Sequence, residues 1–411
     1  MSSDLAELEH QVNFAPVEWR QVTLGKVVRI VTDGISAADL AVLPKVHHYS
    51  LPAFDEGAGP EVGPGDTIKS NKTVVPDDCV LFSKLNPRIP RIWRVRGDAP
   101  PHSYCSTEFW PLVAQGIGVD LDYLTHYLSS AAFLGHPEIT PSSSTNSHQR
   151  VDRKAFERFE FVLPPLDEQR RIAEVLRSVD EAISVGQKVA EQAQALWNGL
   201  TECLIWDRLS TRPDEAQPLG NALLGSDYGV NAPLGSEPAA YAVLRMGNLQ
   251  DGWIDPADLK WGEIGDAEAQ TLALDVGDIL FNRTNSRDLV GKVALVREPT
   301  DFLYASYIVR LRVNQSVADA YYLFAVMHSR RAQAQFKSIA TPGVSQSNIN
   351  PTNLKKQTVP IPSLAEQREI AVQLQSAEAA RRTATQELVT LRQIKADLMS
   401  DLLSGRVRVP A

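Results

Sequence analysis

The apolar residues of two long segments recur every three or four positions, which is the spacing of one face of a helix. The first segment, from about Leu166 to about Arg208, predicts a helix on the order of 60 Å long at 1.5 Å per residue. Alternating steps of four and three residues are typical of a coiled-coil seam. The seam positions are Ile172, Leu176, Val179, Ile183, Gly186, Ala190, Ala193, Trp197, Leu200 and Leu204.

The second segment repeats this pattern near the end of the chain, with two charged interruptions at Arg381 and Lys395. Ser363 and Glu366 have the spacing of a capping box, which predicts the first turn of this helix. Ala384 is equivalent to Gly186, and small side chains at both positions would let two helices approach closely. The seam positions are Ile370, Leu374, Ala377, Ala384, Leu388, Leu391, Leu398 and Leu402.

The chain also repeats itself at the level of individual residues. LPPLDEQRRIA at Leu163–Ala173 matches IPSLAEQREIA at Ile361–Ala371 at seven of eleven positions, and the two copies lie 198 residues apart. We call each copy the repeated phrase. VLFSKLN at Val80–Asn86 likewise matches ILFNRTN at Ile279–Asn285 with an offset of 199 residues. These matches indicate a tandem duplication of about 200 residues per repeat.

Short apolar runs separated by turn residues predict strands in the remaining parts of each repeat. Examples are KVVRIV, CVLFSKL and FEFVLP in the first repeat, and DILFNR, KVALV and YIVRLRV in the second. Helical stretches are predicted near Leu121–Phe133 and Ala318–Phe336. The predicted fold class is α+β, with one mixed α/β body in each repeat.

A helix with a long exposed seam is not stable alone, and the simplest partner for each helix is the other one. We therefore expect an antiparallel two-helix coiled coil that separates the bodies, with a pseudo-twofold axis. The predicted boundaries are 1–162 for the first body, 163–210 for the first helix, 211–359 for the second body, and 360–411 for the second helix and tail. Taken alone, the periodicity favours a simple tether.

Composition and charge narrow the possible classes of function. The net charge of −9 over 411 residues counts against a nucleic-acid binder unless the contacting face is locally basic. Cys79, Cys105 and Cys203 show no CxxC spacing, and the N-terminal residues lack the layout of a signal peptide. A cytoplasmic location is therefore expected. No apolar run is long enough to span a bilayer, so no membrane contact is predicted.

Motifs of catalysis are missing from the sequence. There is no GxxxxGK phosphate loop, no HExxH, no GxSxG, and no Asn-Pro-Pro-aromatic motif of an amino-methyltransferase. Asn86 and Pro87 are followed by Arg88 and Ile89, which do not fit that last motif. His47 and His48 have no metal-like group around them in the sequence. We predict no catalytic residue and no metal site, and a chain that binds rather than catalyses.

A basic segment stands at equivalent places in the two repeats. Arginine can bridge phosphate or guanine edges bidentately, and asparagine can pair with adenine. The alternative for each segment is a solvated basic hairpin. The candidate DNA-binding residues are Ser83, Lys84, Asn86, Arg88, Arg91 and Arg94 in SKLNPRIPRIWRVR, and Asn282, Arg283, Asn285, Arg287 and Lys292 in NRTNSRDLVGK.

A polar loop precedes each copy of the repeated phrase. Loops rich in Ser, Thr, Asn and Gln are suited to hydrogen bonds with phosphates and base edges, and they can equally be simple connectors. The candidate DNA-binding residues of these loops are Ser143, Ser144, Asn146, Gln149 and Arg150, and Ser345, Gln346 and Asn348.

These features together resemble the specificity subunit of type I DNA restriction–modification systems. The resemblance rests on the repeated phrase, which twice opens a long helix after a variable body, and on VLFSKLNPRIPRIWRV followed by STEFWPL. It covers nearly the whole chain. It implies that each body is a target recognition domain for one half of a bipartite double-stranded DNA site, with the helices acting as a ruler. The residues predicted for helix pairing or partner docking are Glu168, Gln169, Ile172, Leu176, Gly186, Glu366, Gln367, Ile370, Leu374 and Ala384.

The resemblance also implies partners and cofactors outside this chain. Two modification subunits would carry S-adenosylmethionine and methylate adenine, and restriction subunits would use ATP and magnesium for translocation and cleavage. The chain itself would hold no cofactor and would not be an enzyme. The competing hypotheses are a coiled-coil scaffold for other proteins without DNA binding, and an enzyme in its own right, which the missing motifs disfavour.

Overall fold

The computed structural model of the chain describes residues 18–57, 59–97, 99–116, 118–140, 149–343 and 346–409. The chain divides into two compact units. Unit 1 comprises residues 1–185 and 388–411, and unit 2 comprises residues 186–387. Both boundaries fall inside long helices, so each unit contains part of both helices.

Unit 1 consists of short strands and helices, followed by the first part of one long helix and the last part of the other. Side chains of Ser36, Ser50, Asp120, Ser130 and Asp152 accept backbone N–H bonds and so begin five of the short helices. Its strands are β1 (Arg20–Thr23), β2 (Val28–Ile30), β3 (Gly34–Ile35), β4 (Val46–Tyr49), β5 (Glu61–Gly63), β6 (Lys72–Val74), β7 (Asp78–Ser83), β8 (Ile92–Arg96), β9 (Ser103–Ser106), β10 (Phe109–Ala114) and β11 (Glu160–Leu163). Its helices are α1 (Leu24–Val27), α2 (Ala37–Ala41), α3 (Leu51–Asp55), α4 (Leu121–Leu128), α5 (Ala131–Leu134), α6 (Arg153–Arg158) and the first part of α7 (Leu166–Thr201).

Two sheets form the body of unit 1. The first is antiparallel, in the order β2-β10-β7-β8, and the second has the order β3-β6-β9-β4-β5 with β4 and β9 parallel. Strand β7 is buried from Cys79 to Ser83 on both faces, which explains its continuous apolar run. A separate antiparallel pair, β1 with β11, lies directly before α7.

Unit 2 repeats much of this organisation. Its strands are β12 (Ala216–Pro218), β13 (Leu223–Tyr228), β14 (Tyr241–Leu244), β15 (Leu249–Gln250), β16 (Trp253–Ile254), β17 (Lys260–Gly262), β18 (Ile279–Asn282), β19 (Thr284–Asn285), β20 (Val293–Leu295), β21 (Leu303–Tyr304), β22 (Ile308–Val313), β23 (Thr341–Pro342), β24 (Ser347–Asn348) and β25 (Thr358–Pro360). Its helices are α8 (Asp266–Thr271), α9 (Ala320–His328), α10 (Arg330–Ser338), α11 (Pro351–Lys355) and the first part of α12 (Leu364–Ser404).

The four-stranded sheets of the two units correspond strand by strand, and the second sheet is smaller in unit 2, with the order β17-β14-β21. The order β13-β22-β18-β20 matches β2-β10-β7-β8, since VLFSKLN begins on β7 and ILFNRTN begins on β18. The pair β12–β25 matches β1–β11, and β14 runs parallel to β21 as β4 does to β9. Unit 2 differs in two small additions, the hairpin β15–β16 and the sheet β19-β24-β23. The tandem duplication predicted from sequence is thus confirmed at the level of strand order.

The two long helices run antiparallel within each unit. In unit 1, Lys395 Nζ lies 2.6 Å from Asp180 Oδ1, and Leu402 joins Ile172 and Leu176 in the core. In unit 2, Arg381 Nη1 donates to Gln194 Oε1 at 3.2 Å, and Leu374 packs in the core with Trp197. Sequence numbers therefore rise along one helix as they fall along the other. Every predicted seam position is buried or half-buried, as expected for a coiled-coil face.

Some sequence-based expectations need correction. The first long helix continues to Ser210, close to its predicted end near Arg208, but its last turns are a π-helical turn (Glu202–Trp206) and a 3₁₀ turn (Asp207–Ser210) instead of α-helix. That change of pitch turns Ile205 and Trp206 into the core of unit 2. KVVRIV is not one strand, since its first two residues belong to α1. The predicted helix Leu121–Phe133 is interrupted at Ser129 and Ser130, where Ser130 begins α5.

The remaining expectations about broad class concern membranes, metals and thiols. Within the described ranges, no helix combines the length and apolar character needed to cross a bilayer. Nor do the described residues contain a group of three or more His, Cys, Asp or Glu side chains arranged to hold a metal ion. Cys79 and Cys105 are buried free thiols, and Cys203 is an exposed one.

Candidate nucleic-acid interface

Backbone pairing brings the two polar segments of each repeat together, which the sequence alone did not indicate. In unit 1, Leu85 forms an antiparallel bridge with Arg150, and the Asn86 N–H donates to the Gln149 carbonyl at 2.8 Å. In unit 2, Thr284 pairs with Asn348 in the same way, between β19 and β24. These pairs occupy equivalent positions of the two repeats. Each unit therefore presents one composite surface, made from the basic segment and the loop before the repeated phrase.

The surface of unit 2 is organised by side-chain contacts among the predicted residues. Arg283 donates to Asn348 Oδ1 at 3.1 Å, and Asn348 in turn donates to the Thr284 hydroxyl at 2.9 Å. The Arg283 guanidinium also lies 5.0 Å from the ring centroid of Tyr228, an exposed residue at the end of β13. An arginine held flat against an exposed aromatic ring is suited to stacking on bases and to phosphate contact.

The other predicted residues of unit 2 differ widely in exposure. Arg287 is exposed and forms no ion pair in the described part of the chain, whereas Lys292 donates to Gln250 Oε1 at 3.2 Å. Asn285 is mostly buried, and its Oδ1 accepts the Ser286 N–H. Asn282 is fully buried, and neither atom of its amide has a hydrogen-bond partner among the described residues. Gln346 is exposed, while Ser345 lies outside the described residues.

The arginines of unit 1 are bonded to carboxylates of the same unit. Arg91 forms two 2.7 Å bonds with Asp55, and these bonds lower the pKa of the Asp55 carboxyl. Arg94 bonds to Asp78 at 2.6 Å and to Asp122 at 2.8 Å. Both guanidinium groups are thereby turned inward, with only 13% and 12% of their side chains exposed. Contact of Arg91 and Arg94 with DNA requires these carboxylates to be displaced.

The remaining predicted residues of unit 1 surround the same hairpin. Ser83 is buried, and its hydroxyl donates to the Leu85 carbonyl at 3.3 Å. Asn86 adopts a positive φ of 51°, which turns the chain after Leu85, and Arg88 is exposed at the tip. Lys84 is half-buried without an ion pair in the described ranges, and Arg150 bonds bidentately to Glu108. Ser143, Ser144 and Asn146 lie outside the described residues.

The two surfaces therefore carry different free charge. Within the described part of the chain, Arg283, Arg287 and Lys292 of unit 2 form no ion pair with a carboxylate, whereas Arg91, Arg94 and Arg150 of unit 1 each do. The segment of unit 1 has five basic residues and that of unit 2 has three, so the pairing of Arg91 and Arg94 follows from tertiary contacts and not from composition. The assignment of these residues to DNA contact stays a prediction, and unit 2 offers the more cationic face for it.

The glutamine of the repeated phrase performs the same structural task in both units. Gln169 Oε1 accepts the backbone N–H of Asp120, the N-cap of α4, at 2.8 Å, and its amide donates to the Pro164 carbonyl at 2.8 Å. Gln367 accepts the N–H of Asp319, the N-cap of α9, at 2.9 Å and donates to the Pro362 carbonyl at 2.8 Å. Both side chains are fully buried. Each glutamine thus joins the start of a long helix to the start of a body helix.

The glutamate of the phrase pairs with arginines that follow the other long helix. Glu168 is bonded to Arg408 and also accepts the Trp19 indole N–H at 3.0 Å. Glu366 accepts hydrogen bonds from Ser363, Arg212 and Arg208, which together lower its pKa to about 2. The Ser363–Glu366 contacts confirm the predicted capping box. Arg208, Arg212 and Arg408 were missed from the sequence because no local spacing links them to the phrase.

The helix-docking residues act inside their own units. Their exposed fractions do not exceed 6%, apart from those of Glu366 and Gly186. Side chains this deeply buried dock the long helices onto the bodies and are not available to a separate partner. The buried set is Glu168, Gln169, Ile172, Leu176, Gln367, Ile370, Leu374 and Ala384.

Comparisons with known proteins agree with this organisation. The family model described as "Type I restriction modification DNA specificity domain" matches residues 16–194 and 236–392. A specificity subunit assigned to the type I restriction enzyme MjaX of Methanocaldococcus jannaschii is 31% identical over 183 residues, which cover 44% of this chain and 43% of that protein. The type I restriction enzyme EcoKI specificity subunit of Escherichia coli K12 is 20% identical over 264 residues, 60% of this chain and 56% of that protein. The matches thus span about half the length of these relatives.

Solved structures share the fold across nearly the whole chain. The type I restriction–modification S subunit from M. genitalium aligns with a TM-score of 0.58 at 13% identity, covering 96% of this chain and 98% of that one. A chain from a structure described as "Structural basis underlying complex assembly and conformational transition of the type I R-M system" aligns with a TM-score of 0.55 at 18% identity. That alignment covers 95% of this chain and 99% of the other.

Proposed function

We propose that this chain, which belongs to the family of the type I restriction modification DNA specificity domain, is the component of a type I restriction–modification system that reads the DNA sequence. Each unit reads one half of a bipartite DNA site, and the antiparallel helices determine the spacer between the half-sites. The bodies differ in sequence, so the two half-sites differ as well.

One observation carries this proposal. In both units the same backbone pairing, Leu85 with Arg150 and Thr284 with Asn348, joins a basic hairpin to a polar loop at the root of a long helix. The net charge of −9 is compatible with DNA binding because Arg283, Arg287 and Lys292 of the candidate surface of unit 2 form no ion pair with a carboxylate of the described residues.

The chemistry of the system is proposed to lie in other chains. The sequence has no motif for binding ATP or for transferring a methyl group, and within the described ranges no metal-binding group is formed. Two methyltransferase subunits that use S-adenosylmethionine, and restriction subunits that use ATP and magnesium, assemble on this chain in the cytoplasm. The chain contributes target choice and contributes no bond-breaking step.

The direct test exchanges one body at a time between this chain and a relative with a known target, keeping both long helices unchanged. The assembled methyltransferase is then assayed on DNA, and the methylated sites are sequenced. We expect the half-site to change with the exchanged body while the other half-site and the spacer remain. Recognition that does not follow the bodies would refute the proposal, and the scaffold alternative predicts no salt-dependent DNA binding at all.

A second test concerns the spacer. Inserting one heptad at Gly186 and one at Ala384 lengthens both helices by about 10 Å and preserves their seam. We expect the methylated sites to keep both half-sites and to acquire a longer spacer. A double substitution of Gly186 and Ala384 without any insertion is the matched control. An unchanged spacer in the insertion variant would show that the helices do not set it.

A further inference from the structure

Unit 2 contains a tryptophan held between two arginines, at the place where its body meets a long helix. The Arg297 guanidinium lies 3.9 Å from the centroid of the Trp253 ring, and the Arg382 guanidinium lies 3.7 Å from it. Arg297 also donates to Glu378 at 2.8 Å, and the Tyr321 hydroxyl donates to the same carboxylate at 2.9 Å. These contacts join the hairpin of Trp253 to α9 through Tyr321 and to α12 through Glu378 and Arg382.

Trp253 lies on the hairpin β15–β16. The described residues of unit 1 form no such hairpin between β4 and β5, which are the equivalent strands. Gln250 pairs with Trp253, so β15 and β16 are joined by a two-residue turn of Asp251 and Gly252, both with positive φ. A side chain at Gly252 would place its Cβ 2.6 Å from the Phe324 ring, so the turn requires glycine. Asp251 is bonded to Arg381, which anchors the hairpin on α12. Unit 1 has α3 between β4 and β5 instead.

The repeat identifies the corresponding positions in unit 1. Val80 faces Arg94 across β7 and β8, and Ile279 faces Leu295 across β18 and β20, so Arg96 corresponds to Arg297. On the long helices, the repeat offset relates Asp180 to Glu378 and Ser184 to Arg382. On the body helices, Asp122 corresponds to Tyr321, because Asp120 and Asp319 are the respective N-caps.

At these positions unit 1 has an open cleft. Its volume is about 300 Å³, and its lining consists of Arg96, Asp122, Thr125, His126, Arg177, Asp180, Glu181 and Ser184. Arg96 bonds to Asp122 at 3.2 Å, and Arg177 lies 3.9 Å from Glu181. None of these lining residues is a tryptophan, tyrosine or phenylalanine. Arg96 stands where Arg297 does in unit 2 and Asp180 stands where Glu378 does, whereas Ser184 stands in place of Arg382. The ring that lies against these positions in unit 2 has no counterpart among the lining residues.

We propose that this cleft of unit 1 receives a tryptophan side chain of a partner polypeptide, stacked on Arg96 and facing Arg177. The internal copy in unit 2 supplies the template for the ring and for its contact with one guanidinium, because Arg96 corresponds to Arg297. Arg177 is a second guanidinium of the lining, seven residues before the counterpart of Arg382, Ser184. Asp122, Asp180 and Glu181 offer acceptors for an indole N–H. The lining carries three carboxylates and two guanidinium groups. Lys395, which pairs with Asp180, brings the net charge of the cleft to zero. Without net positive charge, the cleft favours an uncharged ring over a nucleotide. The inference does not depend on the proposed DNA reading.

The test uses the full chain and N-acetyl-L-tryptophanamide as the probe, observed by saturation-transfer NMR on its indole protons. We expect transfer to the wild-type chain and its loss in Ser184→Trp, which places an indole in the cleft from the exposed helix face. Ser178→Trp, at an exposed position on another face of the same helix, is the matched control and should bind the probe like the wild type. Arg96→Ala should weaken binding about fivefold, the size of one partly exposed cation–π contact.

Two further arms separate the alternatives. Trp253→Ala opens the equivalent cleft of unit 2 and should add a second site, which Ser184→Trp does not block. N-acetyl-L-leucinamide and adenosine 5′-monophosphate should show no transfer to the wild-type chain. The inference is wrong if Ser184→Trp binds the probe as well as Ser178→Trp does, or if the leucine amide binds equally. Transfer to the nucleotide alone would instead assign the cleft to nucleic acid. Loss of half-site recognition in the body-exchange test would leave these outcomes unaffected.

Discussion

The two repeats form the same contacts at the starts of the long helices, and they differ at the hairpin between β14 and β17. At the roots, Gln169 and Gln367 form the same hydrogen bonds with the same partners, to within 0.1 Å for the contact with the N-cap residue. Between the equivalent strands, unit 2 forms the hairpin with Trp253, whereas unit 1 forms α3. The cleft of unit 1 is lined instead by the end of β8, by α4 and by α7. The contacts that are the same in both units are those that hold each body against the start of a long helix.

The difference teaches where a duplicated body is free to change. A buried glutamine that satisfies three backbone groups cannot be replaced without leaving polar groups unpaired, so both repeats need it. Strand connections at the surface carry no such constraint, and loops tolerate replacement. The candidate nucleic-acid surfaces lie in this freer part, which fits a role in distinguishing two unlike half-sites. The following predictions test the comparison, from the largest expected effect to the smallest.

Replacing either glutamine should cost about equally, because the contacts are equivalent. Gln169→Ala and Gln367→Ala each leave a buried N–H and buried carbonyls without partners, and each should lower the free energy of unfolding of its unit by about 2–4 kcal/mol. Denaturant unfolding measures this loss. Gln373→Ala, whose side chain is exposed and reaches only the Glu369 carbonyl at 3.5 Å, is the control and should change little. A large loss for one glutamine and a control-like result for the other would break the equivalence.

Removing the tryptophan of unit 2 should be less costly. Trp253 is half-buried, and Trp253→Ala removes its packing and two cation–π contacts, so we expect a loss of about 2 kcal/mol in the free energy of unfolding of unit 2. Trp253→Phe should recover part of this loss because a ring remains between Arg297 and Arg382. A loss below about 0.5 kcal/mol would mean that the hairpin is not anchored by its ring.

DNA binding should distinguish the two surfaces by their free charge. Arg287→Ala should weaken binding by the assembled complex and reduce the salt dependence of binding by about one phosphate contact. Arg94→Ala should mainly lower the stability of unit 1, since its guanidinium is bonded to Asp78 and Asp122. Titrations at several salt concentrations separate the two effects. Equal salt slopes for the wild type and Arg287→Ala would remove this arginine from the DNA surface.

The smallest effect concerns the pH dependence at Glu366. Its pKa is lowered to about 2 in the folded chain by Ser363, Arg212 and Arg208, against 4.5 ordinarily. A lowered folded-state pKa contributes stability above pH 4.5, and that contribution is lost as the pH falls toward 2. Glu366→Gln should therefore be less stable than the wild type at pH 6, with the gap closing toward pH 2. Glu369→Gln, at an exposed position of the same helix, is the control. A gap that is constant with pH would show that the carboxylate charge is not responsible.

Much of the fold could be predicted from local patterns. Helical periodicity identified α7 and α12, and the matching segments VLFSKLN and ILFNRTN located the equivalent strands β7 and β18. The predicted helix end near Arg208 agrees with the helical turns that continue to Ser210, but seam periodicity does not register the change to a π-helical turn at Glu202. The two-residue Asp251-Gly252 turn was a readable hairpin signal that the sequence analysis overlooked.

What the sequence determined by itself is whatever depends on neighbouring residues: the two helices, their seams, the capping box at Ser363, and the duplication. Only the tertiary structure decided which basic side chains remain free, because Arg91 and Arg94 meet carboxylates that lie 16 to 36 residues away from them. It also decided that Glu168 and Glu366 are paired with arginines more than 150 residues distant. Ion pairing depends on the distance between two groups in space, whereas the periodicity of a sequence depends only on separation along the chain.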